Sequence, residues 1–264
     1  MKRFLLCVAG LLGIGLSQPA LAETIISVTQ VSYDGVGRKE CVTTRMNSAV
    51  FGSLPASACT LGTAGTQGSD RITKTVYDLA GQVTQLVQAY GTTDQRVYSS
   101  FAYSPNGKVT DTVDANGNRT HMEYDGFDRL IYYRYPSPTR PSAFNPSTSA
   151  NAISTAGGYS TTDYEQYGYD NNGNKTSYRR RDGNTILYTY DNLNREIVKD
   201  MPGGTADDLY TAYDGLGHIV YKRFVSSSGS GVSYAYDGLG RVNSATDMNG
   251  RTLSLGYLSN SARQ

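Results

Sequence analysis

The chain has no tryptophan, two histidines and three cysteines in 264 residues. That scarcity leaves little material for a nucleophile–base pair or a Cys/His metal site. His218 falls where neighbouring copies of a repeat carry a basic residue, and His121 follows an ordinary strand pattern beside Met122. Neither is flanked by residues that single out a catalytic site. Charge of one sign is missing too: the formal balance is +1, which gives no electrostatic case for a nucleic-acid partner. After the N-terminus no stretch sustains helical spacing.

What is abundant is tyrosine, 22 residues, and glycine, 29 residues, a bias toward β-structure rich in turns. The tyrosines are ordered. A short motif, seen in full at Tyr236-Asp237-Gly238-Leu239-Gly240-Arg241, returns at Tyr33, Tyr77, Tyr103, Tyr124, Tyr169, Tyr190 and Tyr213, at intervals of 44, 26, 21, 45, 21, 23 and 23 residues. The unit is therefore 21 to 26 residues, and two intervals are about double. Most anchors are followed by aspartate: Asp34, Asp78, Asp125, Asp170, Asp191, Asp214 and Asp237. Four residues after each anchor stands Gly37, Gly81, Gly107, Asp128, Gly173, Asn194, Gly217 or Gly240. These residue types tolerate a positive φ, as a tight turn between antiparallel strands requires. The next position is polar and usually basic: Arg38, Gln82, Lys108, Arg129, Asn174, Arg195, His218 or Arg241.

Aromatics alternate just upstream of the anchors, as at Tyr234 and Tyr236, which places both rings on one strand face. A second turn follows within several units, at Asp114–Gly117, Asp182-Gly183 and Asp247–Gly250. Each unit reads as strand, turn, strand, turn. An isolated hairpin is marginal in water, so each needs its neighbours.

Two stretches break the rhythm. Residues 41–70 are rich in Ser, Ala, Gly and Thr, and the 44-residue interval around them holds either an insertion or one degenerate unit. Residues 136–160 contain Pro136, Pro138, Pro141 and Pro146, which reads as a surface loop excursion. Asp207-Asp208 reads as a solvated loop. The first 22 residues differ again: Lys2 and Arg3, an apolar run Phe4–Leu16, then Ala20-Leu21-Ala22. This is the pattern of a Sec-type signal peptide cleaved before Glu23, which predicts export to the periplasm, cell surface or medium and no integral span in the mature chain. The mature chain would then be 23–264, with 22 basic and 23 acidic residues. It keeps Cys41 and Cys59, which in an oxidising space either bridge, the expected state, or remain two buried thiols.

The Asp-x-Asn-Gly turns lack the distal carboxylate and ligand number of a calcium loop, so turn geometry explains them without a metal. No cofactor is predicted. The tyrosine ladders read either as a carbohydrate platform or as the sheet's own glue, and their structural period favours glue.

The repeated Tyr-Asp-x-x-Gly-Arg, as at Tyr33–Arg38 and Tyr236–Arg241, resembles the YD repeat of bacterial RHS-repeat proteins. Departures are compatible with turns: Ser104 replaces Asp, Gln82 and Asn174 replace the basic residue, and Asp128 and Asn194 replace Gly. The resemblance implies an all-β array of antiparallel hairpins in a curved, spiralling sheet. In full-length relatives such a sheet closes into a shell around a toxic C-terminal domain. An open fragment of that wall is expected here. In many relatives a self-cleavage site with an Asp-Pro core releases the cargo, and this chain has no Asp-Pro dipeptide. Self-cleavage and toxicity are therefore not transferred. The expected function is an exported, non-enzymatic structural or interaction protein for secreted effector delivery or cell-surface contact. Its partners would be an effector domain or further repeats encoded downstream. The alternative is a carbohydrate-binding module that takes surface glycans.

Overall fold

The computed structural model describes residues 27–257 and a short strand, β1 (Leu5–Cys7), that pairs with the first repeat strand. The rest of the expected signal segment lies outside the described residues. Among the described residues the fold is all-β with one short α-helix and two single 3-10 turns. The strands in order are β2 (Val28–Tyr33), β3 (Lys39–Arg45), β4 (Arg71–Tyr77), β5 (Val83–Gln88), β6 (Arg96–Tyr103), β7 (Val109–Asp114), β8 (Arg119–Tyr124) and β9 (Leu130–Pro136). After helix α1 (Ser149–Thr155) come β10 (Tyr159–Tyr169), β11 (Lys175–Arg179), β12 (Thr185–Tyr190), β13 (Glu196–Asp200) and β14 (Leu209–Tyr213). The last four are β15 (Ile219–Phe224), β16 (Gly231–Tyr236), β17 (Val242–Asp247) and β18 (Thr252–Ser254).

The chain divides into two compact units. The first runs to Met122 and includes Arg134–Ser160; the second comprises Glu123–Tyr133 and the chain from Thr161. In the first, β2 to β8 pair consecutively and antiparallel. In the second, β10 to β18 do the same. Each ladder is open and grows by nearest-neighbour pairing alone. The hairpin array is therefore present, and the spiralling that the resemblance implied is not displayed within either unit.

Every long-range step starts from the same local geometry. In the first repeat the Asp34 N–H donates to Arg38 O at 2.8 Å and the Gly37 N–H to Asp34 O at 3.1 Å. The turn is thus closed from both sides, and Gly37 has φ +87°. The remaining fourth positions follow: Gly81 +86°, Gly107 +79°, Asp128 +60°, Gly173 +90°, Asn194 +60°, Gly217 +91° and Gly240 +75°. A one-residue bulge falls at the anchor in the seven hairpin ladders described, so that Tyr33 faces Lys39 and Tyr236 faces Val242.

The interruptions are structured, and they differ from the sequence reading. β3 continues through Arg45, so the first excursion begins at Met46. It folds back over the sheet, where Cys41, Ala58 and Ile72 form a core cluster against Cys59, Leu61 and Tyr90. Cys41 and Cys59 are joined in a disulfide with Cα atoms 5.3 Å apart. The second excursion is not all loop. It contains α1, whose Thr148 cap accepts from Asn151 N and whose Ala152 is fully buried where the helix packs on β6 and β7. Asp208 is also buried, accepting the Met201 N–H at 2.9 Å; it is not the solvated residue expected.

Candidate functional site: the seam between repeats

The residues that the sequence singled out form a clasp, and the clasp has two halves. The inner half closes each turn. Asp34 Oδ1 accepts the Val36 and Arg38 N–H groups at 3.0 and 2.8 Å, while Oδ2 accepts Arg38 Nε at 2.7 Å. Asp125 with Arg129, Asp191 with Arg195 and Asp237 with Arg241 repeat this pattern at 2.7 to 2.8 Å. At Asp214 the partner is His218, whose Nδ1 lies 2.9 Å from Oδ2.

Such contacts hold the carboxyls of Asp34, Asp125, Asp170, Asp191, Asp214 and Asp237 below the usual aspartate range. Side-chain bonds from Arg129, Asn174 and His218 dominate at Asp125, Asp170 and Asp214. The backbone N–H groups of Arg195 and Arg241 dominate at Asp191 and Asp237. At Asp34 desolvation is the largest single influence and acts upward, but the bonds from Arg38 and Val36 together outweigh it.

The outer half joins one repeat to the next. At six of these joints the hydroxyl of the following tyrosine donates to a backbone carbonyl six residues past the preceding anchor. Tyr77 reaches Lys39 O at 2.9 Å, Tyr103 reaches Val83 O at 2.7 Å, and Tyr169 reaches Leu130 O at 3.1 Å. Tyr190 reaches Lys175 O at 2.9 Å, Tyr213 reaches Glu196 O at 3.1 Å, and Tyr236 reaches Ile219 O at 2.8 Å. The same ring lies under the preceding cation: Arg38 is 4.4 Å from the Tyr77 centroid, Arg129 is 4.6 Å from Tyr169 and Arg195 is 4.5 Å from Tyr213. His218 stacks on Tyr236 at 4.5 Å. Such a cation–π contact contributes about 0.5–1 kcal/mol at exposed sites.

This pattern decides what the two long intervals contain. Tyr77 engages Lys39 and Tyr169 engages Leu130 as immediate successors do, so each interval is one repeat plus an insertion and no degenerate unit intervenes. It also finds a residue that the sequence reading did not count as an anchor. Tyr257 donates to Val242 O at 2.7 Å and lies 4.2 Å under Arg241, although Leu258 follows it. Its position 21 residues after Tyr236 was the available clue.

Other candidate chemistry is tied up in structure. His121 Nδ1 lies 2.8 Å from Asp111 Oδ1, but Arg119 shares that oxygen and the imidazole stacks on Tyr159 at 4.5 Å. The Asp114 and Asp247 loops close as turns through their own backbone N–H groups. No cluster of metal-ligating side chains occurs among the described residues, and no helix there is long and apolar enough to cross a membrane. Cations cover the Tyr77, Tyr169, Tyr213 and Tyr257 rings on one side, which removes those faces from a sugar platform.

The teneurin YD-shell family model matches residues 60–209, more than half of the chain. The chain belongs to the YD-shell family. No curated protein matches. Among solved structures, TcdB2-TccC3-Cdc42 is similar at 13% identity and TM-score 0.37, over 90% of this chain and 16% of that one. TcdB2-TccC3 is similar at 14% identity and TM-score 0.36, over 90% and 14%. The Photorhabdus luminescens Tc holotoxin pore is similar at 12% identity and TM-score 0.30, over 88% and 14%. The chain thus spans about a sixth or less of these proteins' length. The YD-shell fold is a structural shell, and in this chain the seam joins one repeat to the next.

Proposed function

We propose that this protein is an exported, non-enzymatic wall segment of an RHS-type shell, acting in secreted effector delivery or cell-surface contact. The observation that carries the reading is the seam. The aspartates, arginines and tyrosines that could otherwise serve a site are consumed, repeat after repeat, in holding one hairpin to the next. Membership of the YD-shell family supports the same reading. A leader with a charged start, a 13-residue apolar run and a small-residue end supports export. Its partner would be an effector polypeptide or additional repeats that complete the wall.

Two measurements test this. Expression with the native N-terminus, followed by intact mass of the exported product, should give a chain starting at Glu23. A product that keeps Met1 and stays in the cytosol removes the export half. Co-expression with the polypeptide encoded immediately downstream should slow its digestion by added protease. Equal digestion with and without this chain removes the shell half.

A further inference from the structure

The seam holds a slot of recurring chemistry, a ring face and a turn carboxylate, above the incoming tyrosine wherever the preceding repeat has its Asp, and the chain itself shows what belongs there. In four repeats the occupant is a guanidinium: Arg38, Arg129, Arg195 and Arg241 lie 4.2 to 4.6 Å from the next ring. Each is anchored through Nε to its own aspartate. In three of them a terminal nitrogen also donates to the backbone carbonyl of the next turn aspartate: Asp78 at 3.1 Å, Asp170 at 3.1 Å and Asp214 at 3.2 Å.

The Tyr169 repeat has the slot without the arginine. Asn174 stands in the arginine position, and its short amide stops at Asp170 Oδ2, 2.9 Å, and Asn194 Oδ1, 2.8 Å. Among the described residues no cation or ring covers Tyr190, and the Asp191 carbonyl accepts only the Asn194 N–H. A cavity of about 410 Å³ opens there, lined by Asp170, Asn174, Tyr188, Tyr190 and Asp191 among others. Among the described residues the Asp170 carboxylate meets only neutral donors, the Asn172, Gly173 and Asn174 N–H groups and the Asn174 amide, whereas Asp34, Asp125, Asp191 and Asp237 each bind a guanidinium.

The surrounding cations do not fill the gap. Arg129 reaches Asp170 only at its backbone carbonyl, Arg195 is committed to Asp191, and Lys175 sits 4.8 Å over Tyr188. A comparable vacancy at Gln82, over Tyr103, is bordered by Ala150 and Ile153 of α1. No helical residue is among those lining the Tyr190 slot.

We propose that the Tyr190 slot is a receptor for a guanidinium from outside the chain, the arginine side chain of a partner protein. The ring face, the Asp170 carboxylate and the Asp191 carbonyl are arranged as the occupied slots arrange them for a flat, forked donor. A lysine ammonium matches only the charge, because it can neither lie flat on the ring nor donate in two fixed directions.

The test titrates N-acetyl-arginine amide into the full chain and follows amide and tyrosine-ring NMR resonances. Saturable shifts at Tyr190, Asn172 and Asn174 are expected, with N-acetyl-lysine amide binding about tenfold more weakly. Asn174→Arg should abolish the shifts, because the chain then supplies its own guanidinium; Asn174→Lys serves if that variant fails to fold. The proposal is overturned by no response to arginine, by equal response to lysine, or by a response that survives in the blocked variant. Shifts at the same resonances from a methyl glycoside but not from arginine would overturn it in favour of a sugar site.

Discussion

The two units use one repeat in two ways. In the first, the 46–70 and 137–158 excursions lie over the sheet, and the covered face is largely polar: Gln30, Ser32, Thr43, Arg45, Gln85 and Ser100 are all buried. Those side chains satisfy the backbone of the excursions. Gln30 donates to Pro55 O, Arg45 to Ser57 O and Thr60 O, Gln85 to Pro146 O, and Ser32 accepts the Ala58 N–H. Among the described residues of the second unit no excursion of that kind lies over the sheet, and buried side chains are few: Ile186, Asp208 and Thr211. There the seam stands on its own. A repeat held mainly along its edges tolerates a bare face, whereas a covered face must be rebuilt with hydrogen-bonding groups because irregular backbone cannot be buried unpaired.

The sharpest way to break that contrast is Arg45→Ala. Arg45 is 3% exposed and pairs with Asp70 at 2.6 Å, so its removal leaves a buried carboxylate without a counter-ion. A loss of about 3–5 kcal/mol is expected in denaturant unfolding of the first unit, with hydrogen exchange in β12–β17 unchanged. Next is the disulfide. Cys41→Ala with Cys59→Ala releases a link across 18 positions and should cost about 3 kcal/mol, again confined to the first unit. Gly217→Val or Gly240→Val forces a β-branched residue to φ +91° or +75°, and each should cost about 1–2 kcal/mol in the second unit. Tyr213→Phe removes only the hydroxyl bond to Glu196 O, for about 1 kcal/mol. An unchanged melting temperature in both glycine variants would remove the turn assignment, and one in Tyr213→Phe would remove the hydroxyl from the seam's account.

Acid sharpens the same comparison. Burial pushes the Asp70 carboxyl up, but the Met46 N–H, Arg45 and the Gly62 N–H together bring it below its ordinary value. A carboxyl depressed in the folded state adds stability that is complete above the unfolded pKa of about 4 and is lost as pH falls through the folded value. Acid titration should therefore loosen the 46–70 excursion below about pH 4, with Asp70→Asn removing that component. Loss of protection in 46–70 at the same pH in both proteins would exclude Asp70 as the cause.

The turns were legible because one backbone angle decides them. Only Gly, Asn or Asp sits comfortably at a positive φ, and that requirement shows in eight places. The tyrosine and arginine partners could be seen as a pattern but not as a clasp, since a ring, a guanidinium and a carbonyl from separate repeats meet only after pairing. The covers were illegible for physical reasons. Helix α1 has seven residues, Ser149 to Thr155, too few for a period, and only Ala152 is buried. The inward face of β5 carries Gln85 beside Val87, so alternation of polarity did not identify it. Arg45 and Asp70 are 25 residues apart with nothing local to connect them.

The tyrosine hydroxyls of the seam all point the same way along the chain. Each one reaches back to a carbonyl made earlier in the chain, from Tyr77 to Lys39 and onward to Tyr257 and Val242. A polypeptide that emerges amino end first, whether from a ribosome or through a translocation pore, offers every new hairpin a docking edge that already exists. The wall can therefore be laid one course at a time, with no need to wait for its far end.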